Sequence, residues 1–276
     1  MASKYLFKEK PLKEIRSHLI EYLGGSVNLI KKPNGLAIIN LNQDSKKNAI
    51  TGKMMVDLYD IVEELECWST GKSIILKGEK NNFCSGGDLD FVKKINTPEY
   101  GYMMSTFMQN ILNKFQNLPM LSLALIEGIA LGGGAELTVA CDFRIITENC
   151  QGIGFVHGKM GIIPAWGGIN RLIEKIGYTK SLDVLTTGKL YNPNECYQIG
   201  LVNDIIPENE NSLDYAIDWL EKRTKFEPEI IRSIKKCVRN GQTNPENYKI
   251  QREIFAPFWG SQKNKEALLK NIKHKQ

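Results

Sequence analysis

The chain has 276 residues, of which 42% are hydrophobic, and this is enough to bury a substantial core in one large domain or in a domain with an extension. Its formal net charge is +5, from 36 lysines and arginines against 31 aspartates and glutamates. So small a charge does not require a nucleic-acid partner, although it suits a polyanionic small molecule.

The cysteines and histidines are scattered along the chain. No two of the six cysteines have CxxC spacing, and His18, His157 and His274 lie far apart, so the sequence predicts neither a disulfide framework nor a metal site. No apolar run is as long as a membrane span, and the N-terminal stretch lacks the features of a signal peptide. We therefore expect a reduced cytosolic protein with no membrane association and no metal or redox cofactor.

The first predicted element is a short amphipathic helix in PLKEIRSHLIEYL, inside an N-terminal extension of residues 1–24 whose role the sequence leaves open. Two β-rich runs follow, SVNLIKK and GLAIINLN. The Pro-Asn-Gly turn between them predicts a hairpin.

Strands and helices then alternate. Thr51 is suited to cap a helix whose apolar residues recur at helical spacing. Buried strands are predicted in SIILKG, LSLALIE and DFRIIT, with a long helix from about Pro98 to Leu118 between the first two. This alternation predicts an α/β fold with the functional loops at strand ends.

Beyond about Asn209 only helical patterns remain. They lie in SLDYAIDWLEKR, PEIIRSIKKCVRN, PENYKIQREIF and KNKEALLKNIK. We therefore divide the chain into the N-terminal extension, a core of residues 25–209, and a helical region of residues 210–276 that serves packing or oligomerisation.

Two glycine-rich loops are suited to ligand contact. FCSGGDL follows a buried strand, and ALGGGAEL opens a helix. Such small residues leave backbone N–H groups uncovered, and two of these donors directed at one point form an oxyanion hole for an enolate or a tetrahedral intermediate. Taken alone, either loop is better explained as a tight strand-to-helix turn, and a capping role in the first turn of the helix also explains Glu136.

Three stretches follow one another along the chain, FCSGGDL, IEGIALGGGAELTVACDFRI and GKMGIIPAWGGINRLIEKIG. In order, spacing and residue type they resemble the enoyl-CoA hydratase/isomerase (crotonase) family, and the resemblance extends from about Ser26 to Asn209. The resemblance implies a crotonase-like spiral of ββα turns and a helical C-terminal region for assembly as a trimer or a dimer of trimers. It also implies an acyl-CoA thioester substrate, with no cofactor other than the CoA of that substrate.

The resemblance also implies roles for individual residues. By motif, the backbone N–H groups of Ser85 and Gly133 form the oxyanion hole, although Ser85 replaces the family's usual alanine. The implied substrate contacts are Gly86, Gly87, Asp88, Gly132 and Trp166. Residues 1–24 have no counterpart in a typical family member.

A histidine stands where the family's hydratases have a glutamate. Those enzymes hold and deprotonate a water with two glutamates, and the motifs place one at Glu136 and the other at His157. The missing carboxylate argues against hydration. A histidine suits a substrate with its own carboxylate, because a glutamate about 4 Å from that group would cost on the order of 4 kcal/mol at an effective dielectric of roughly 20.

We therefore expect decarboxylation of a malonyl-type CoA thioester through an enolate held in the oxyanion hole. The stretch FVHGKMGIIPAWGG is most similar to decarboxylases of this superfamily that act on ethylmalonyl-CoA. That resemblance implies short-chain substrates, namely ethylmalonyl-CoA and, more slowly, methylmalonyl-CoA. Trp166 is a candidate for the apolar wall around the leaving carboxylate. The proton donor to the enolate is either His157 or Glu136, and the sequence does not decide between them.

Two alternatives remain open. With Glu136 alone as base, the same fold supports a hydratase, an isomerase or a thioesterase. Some proteins of this fold bind RNA, and C-terminal lysines offer a basic strip, Lys263, Lys265, Lys270, Lys273 and Lys275. A solvated helix face or a contact with CoA phosphates explains these lysines better than RNA binding does, so we favour the decarboxylase.

Overall fold

The computed structural model describes residues 7–240, 252–257, 259 and 264, and the chain divides into two compact units, Met1–Lys225 and Phe226–Gln276. The strands of the first unit are β1 (Ser26–Lys31), β2 (Leu36–Asn42), β3 (Ser73–Gly78), β4 (Leu121–Ile126), β5 (Ile129–Leu131), β6 (Phe143–Thr147), β7 (Gly152–Gly154), β8 (Leu190–Tyr191) and β9 (Asp204–Ile206). Its helices are α1 (Leu12–Leu19), α2 (Gly52–Glu66), α3 (Leu89–Lys94), α4 (Pro98–Asn117), α5 (Gly133–Ala140), α6 (Gly168–Ile176), α7 (Tyr178–Thr187), α8 (Pro193–Gln198) and α9 (Ser212–Glu221). The second unit contains α10 (Pro228–Asn240).

Six strands form the main sheet, in the order β1-β2-β3-β4-β6-β9. β1 and β2 pair antiparallel as the predicted hairpin, and the other neighbouring pairs are parallel. The central strands carry apolar residues on both faces because each face packs against its own hydrophobic cluster. This double burial is why they read as continuous apolar runs in the sequence, and the predicted α/β class is confirmed.

A second, smaller sheet has the order β5-β7-β8. These strands and β9 contain only two or three residues each, too few to produce an alternating pattern, so the sequence analysis missed them. β5 matters for function because it runs beside the first glycine-rich loop, through a bridge between Cys84 and Ala130, and leads directly into α5.

The N-terminal extension is built into the first unit. α1 forms as predicted and packs on α2 and α4, burying Ile15 and Leu19. Thr51 caps α2 as predicted, because its side chain accepts a hydrogen bond from the backbone N–H of Met54 at 3.2 Å. The same hydroxyl donates to the carbonyl of Gly24 at 2.6 Å and ties the extension to α2.

The first unit continues past residue 209, where we had placed the end of the core. The reason is that α9 packs on the sheet, and its residues Ala216, Trp219 and Leu220 join a cluster with Leu36 and Ile38 of β2. α10 coincides with the helix predicted in PEIIRSIKKCVRN. The two helices predicted after it fall largely outside the described residues. Within the described ranges, no helix has the length and apolar character needed to cross a membrane.

Candidate active site

The two glycine-rich loops meet through backbone pairing. Cys84 donates its N–H to the carbonyl of Ile129 and accepts a hydrogen bond from the N–H of Leu131, both at 3.0 Å. Gly86 has a φ of +107°, and a Cβ there would lie only 3.0 Å from the carbonyl oxygen of Leu131 and 3.7 Å from the nitrogen of Gly133. Glycine at position 86 therefore allows the two loops to approach each other.

The first loop supplies a different donor from the one we predicted. The N–H of Ser85 donates to the carbonyl of Lys47 at 3.0 Å, and its hydroxyl donates to the carbonyl of Lys46 at 2.8 Å. The N–H of Ser85 is thus engaged, which contradicts its predicted role in an oxyanion hole. The N–H groups of Gly87 and Gly133 have no hydrogen-bond acceptor in the part of the chain that the structure describes.

Pairing with Ile50 explains why the free donor is Gly87. The N–H of Ile50 donates to the carbonyl of Gly86 at 2.7 Å, and the N–H of Asp88 donates to the carbonyl of Ile50 at 2.9 Å. Gly87 lies between the two residues that bond to Ile50, and in a parallel bridge the backbone groups of such a middle residue point to the opposite side. The N–H of Gly87 is therefore directed away from Ile50.

Asp88 fixes the first loop. Its buried carboxylate caps α3 by accepting two backbone N–H groups, and it also accepts hydrogen bonds from Gln43 at 2.8 Å and from Lys46 at 2.7 Å. Burial acts to raise the pKa of Asp88, but the hydrogen bonds from Lys46, the backbone and Gln43 outweigh it and hold the pKa below its usual value. The carboxylate is fully used inside the protein and holds Gly87 in place, which does not fit the predicted substrate contact.

The second loop is shaped by three successive glycines. Gly132 has a φ of +53° and donates its N–H to the carbonyl of Gly154 at 2.9 Å. Gly133 follows as the first residue of α5 and carries the free N–H. A Cβ on Gly134 would lie 2.2 Å from the carbonyl oxygen of Cys84, so α5 packs directly on the first loop.

Glu136 lies at the centre of a buried hydrogen-bond cluster. Its Oε2 accepts the backbone N–H groups of Trp166 and Gly168, both at 2.8 Å. Its Oε1 accepts the N–H of Ala165 at 3.2 Å and lies 3.1 Å from Nε2 of His157. With 1% of the residue exposed, both oxygens are engaged with protein donors. One of these donors, the N–H of Gly168, lies at the N-terminus of α6, where the helix dipole favours a carboxylate.

His157 presents its other nitrogen without a partner. Because Oε1 of Glu136 acts as an acceptor, Nε2 of His157 carries the hydrogen between them. Nδ1 is buried and has no hydrogen-bond partner among the described residues. A Cβ on Gly132 would lie 3.9 Å from Nε2, so the ring lies beside the loop that carries the free N–H of Gly133. The structure thus brings together the histidine and the second predicted loop.

Trp166 lies against the same loop. Its side chain is buried, and a Cβ on Gly133 would lie 2.4 Å from both Cζ3 and Cη2 of the indole. The aromatic ring therefore contacts the backbone of the residue with the free N–H, as a wall of the site requires.

A layer of polar side chains behind the site was missed by the sequence analysis. Ser105 and Gln109, one turn apart on α4, donate to the carbonyl of Ala165 at 2.6 and 2.8 Å, and Arg171 donates to the carbonyl of Trp166 at 2.7 Å. These bonds hold the chain segment whose N–H groups surround the carboxylate of residue 136. The available signal was weak, because this polar pair at helical spacing is only one of several on α4.

Comparison with known proteins identifies the family. A family model described as enoyl-CoA hydratase/isomerase matches residues 31–274. The chain is 44% identical to the ethylmalonyl-CoA decarboxylase of Mus musculus over 95% of this chain and 82% of that protein. It is 42% identical to the ethylmalonyl-CoA decarboxylase of Homo sapiens over 94% of this chain and 86% of that protein.

Solved structures agree on the fold. An enoyl-CoA hydratase from Bacillus anthracis matches with a TM-score of 0.81 at 25% identity, covering 88% of this chain and 94% of that one. An enoyl-CoA hydratase from Geobacillus kaustophilus matches with a TM-score of 0.82 at 25% identity, covering 91% of this chain and 94% of that one. The predicted crotonase-like fold is confirmed. The chain belongs to the enoyl-CoA hydratase/isomerase family.

Proposed function

We propose that this protein is a carboxy-lyase that decarboxylates ethylmalonyl-CoA and, more slowly, methylmalonyl-CoA. The observation that carries the proposal is the pairing of Glu136, whose two oxygens hold protein donors, with His157, whose buried Nδ1 has no partner within the described chain. Activation of a water by two carboxylates is not available at these positions. The identity of 44% to a mouse ethylmalonyl-CoA decarboxylase supports this substrate.

In the proposed reaction the thioester oxygen accepts hydrogen bonds from the N–H groups of Gly87 and Gly133. The bond between the α-carbon and the carboxylate breaks, its electron pair moves into the enolate, and carbon dioxide leaves. The negative charge then rests on the thioester oxygen, where the two backbone donors stabilise it. A proton added to the α-carbon completes the acyl-CoA product.

His157 supplies that proton in our proposal. When the ring is protonated, Nδ1 carries the only N–H of the ring that is not bonded to Glu136. The carboxylate beside Nε2 orients the ring and supports its positive charge, as the aspartate does in a Ser-His-Asp triad. Glu136 is then a positioning residue. Trp166 provides an apolar surface that solvates the leaving carboxylate poorly.

We also propose the setting in which the enzyme works. It uses no cofactor beyond the CoA of its own substrate, and the proposed reaction has no step that needs a metal or a redox group. Six free cysteines support a reducing compartment, the cytosol. Exposed apolar side chains after the site, at Met160, Ile162 and Ile163, support self-association as a trimer or a dimer of trimers. The role is metabolite repair in fatty acid metabolism, removing by-products of acyl-CoA carboxylation.

The test is release of carbon dioxide from ethylmalonyl-CoA, methylmalonyl-CoA and malonyl-CoA by the purified protein. Hydration of crotonyl-CoA and release of free CoA are followed in parallel. We expect fast release of carbon dioxide from ethylmalonyl-CoA, slow hydration and no thioester cleavage, with His157→Ala reducing turnover strongly. Hydration without carbon dioxide release would instead favour the second candidate, a hydratase, which the likeness to solved enoyl-CoA hydratases supports.

The lysines on which the RNA-binding alternative depends, at positions 263, 265, 270, 273 and 275, lie outside the described residues.

A further inference from the structure

Trp166 makes three hydrogen bonds, two through its backbone and one through its indole. Its backbone N–H donates to Glu136 at 2.8 Å, and its carbonyl accepts from Arg171 at 2.7 Å. Its indole N–H donates to the sulfur of Met104 on α4 at 2.9 Å. The first two bonds hold the backbone, so the contact with Met104 is the hydrogen bond that acts on the rotation of the ring, beside its packing against Gly133.

The ring fixed in this way borders the place where the α-carbon of a substrate would lie. Two atoms of its six-membered ring lie so close to Gly133 that a Cβ there would be 2.4 Å away from them. A thioester oxygen bound to the N–H of Gly133 has the α-carbon two bonds away. The groups on that carbon, an alkyl chain and a carboxylate, therefore come within van der Waals reach of the indole edge.

The contact with Met104 also removes the only polar group of the indole from this space. A free indole N–H is a hydrogen-bond donor, and a donor beside the substrate carboxylate stabilises the charge before the reaction. That charge has moved to the thioester oxygen in the transition state, so the stabilisation would raise the barrier. A thioether is a weak acceptor on a polarisable, apolar side chain, and it satisfies the N–H without adding a charge.

We propose that Met104 is a positioning residue that sets the substrate selectivity of the site through Trp166. It holds the ring edge against the α-substituent and keeps the indole N–H away from the carboxylate. This assignment rests on the proposed decarboxylation and extends it to the choice between ethyl and methyl substituents. Met104 itself is partly buried on α4, where it packs against the main hydrophobic cluster.

Met104→Leu tests the assignment, because leucine has a similar volume and no acceptor. We expect kcat for ethylmalonyl-CoA to fall about tenfold with KM within about twofold, and the preference for ethylmalonyl-CoA over methylmalonyl-CoA to fall by a similar factor. Met104→Gln restores an acceptor and should recover most of the rate. Met103→Leu is the matched control, a buried methionine next in the same helix, and should leave both constants unchanged.

A double-mutant cycle decides whether Met104 acts through Trp166. In a Trp166→Phe background the ring has no N–H, so Met104→Leu should have no further effect on kcat. Equal effects in both backgrounds, or an unchanged selectivity in Met104→Leu, would overturn the assignment.

A spectroscopic measurement separates the contact from the chemistry. The indole N–H band in ultraviolet resonance Raman spectra should shift in Met104→Leu and return in Met104→Gln, and an unchanged band would overturn the contact whatever the activity. Wild-type protein that releases no carbon dioxide would overturn the proposed function and this assignment with it. If the protein is a decarboxylase but its rate and selectivity do not change in Met104→Leu, this assignment alone would be overturned.

Discussion

Glu136→Gln should leave the shape of the site intact and change its hydrogen bonding. The amide oxygen of glutamine can replace Oε2 and keep the N–H groups of Trp166 and Gly168 satisfied. The amide nitrogen then replaces Oε1, where it faces two donors, the N–H of Ala165 and Nε2 of His157. A donor opposite a donor cannot bond, so the histidine must move its hydrogen to Nδ1 and accept at Nε2.

The magnitude follows from these bonds. One partly buried N–H, that of Ala165, loses its acceptor, which costs about 1 kcal/mol of stability, and this bond is the longest of the three backbone bonds to the carboxylate. The effect on catalysis is larger. The ring loses the negative charge that supports its protonated form, and in a Ser-His-Asp triad the comparable change of aspartate to asparagine lowers kcat about 10⁴-fold. We expect kcat for carbon dioxide release to fall about 10²- to 10⁴-fold in Glu136→Gln.

Two assays check this prediction. Carbon dioxide release from ethylmalonyl-CoA gives kcat, and nitrogen-15 NMR of the imidazoles gives the tautomer, in a spectrum simplified by the presence of only three histidines. Glu221→Gln, a change of an exposed glutamate at the end of α9, is the control and should alter neither measurement. If Glu136→Gln kept its rate within a few-fold and His157 kept its hydrogen at Nε2, the positioning role of the carboxylate would be refuted.

Three further predictions concern the loops. Gly133→Ala should destabilise the protein by about 1–3 kcal/mol in urea denaturation and abolish turnover, because the new methyl group collides with Trp166. Gly87→Ala should unfold much as wild type does, because its methyl group meets only one atom, at 3.3 Å. Asp88→Asn should cost about 1–3 kcal/mol at neutral pH. Because the pKa of Asp88 is lowered in the folded state, the difference in stability should reach its complete value above pH 3.8, the ordinary pKa of an aspartate. It should vanish as the pH falls through the lowered folded-state pKa, and a difference that does not depend on pH would count against the reasoning. Burial raises the pKa of the Cys84 thiol to about 12, so mass spectrometry after a thiol reagent should find it modified only in unfolded protein.

Local pattern was sufficient for the elements that pack as regular units. The hairpin, the cap at Thr51 and the long helix α4 each carry a signal within a few residues, and the structure has all three. The family motifs likewise pointed to the two loops and to His157, because those residues are close together in sequence within each motif.

Long-range pairing was what the sequence did not reveal. Whether Ser85 or Gly87 presents its N–H depends on a bridge to Ile50, which no local pattern indicates. In the same way, nothing near Ala165 predicts that Ser105 and Gln109 of α4 hold its carbonyl. Composition identifies a loop suited to ligand contact, but the direction of each backbone group is fixed by its partners in the fold.

The arrangement around Glu136 suggests how one scaffold supports two reactions. Three backbone N–H groups from the segment around α6 hold its carboxylate, and none of them depends on the side chain at position 157. A second carboxylate at that position, close to this buried one, would need a proton or a water between them, because two like charges so near are costly to bury. The histidine instead bonds directly to Oε1 at 3.1 Å, so no bridging water is needed, and its buried Nδ1 has no hydrogen-bond partner among the described residues. We infer that residue 157 selects between activating a water and delivering a proton, while the backbone cluster that holds Glu136 serves both reactions.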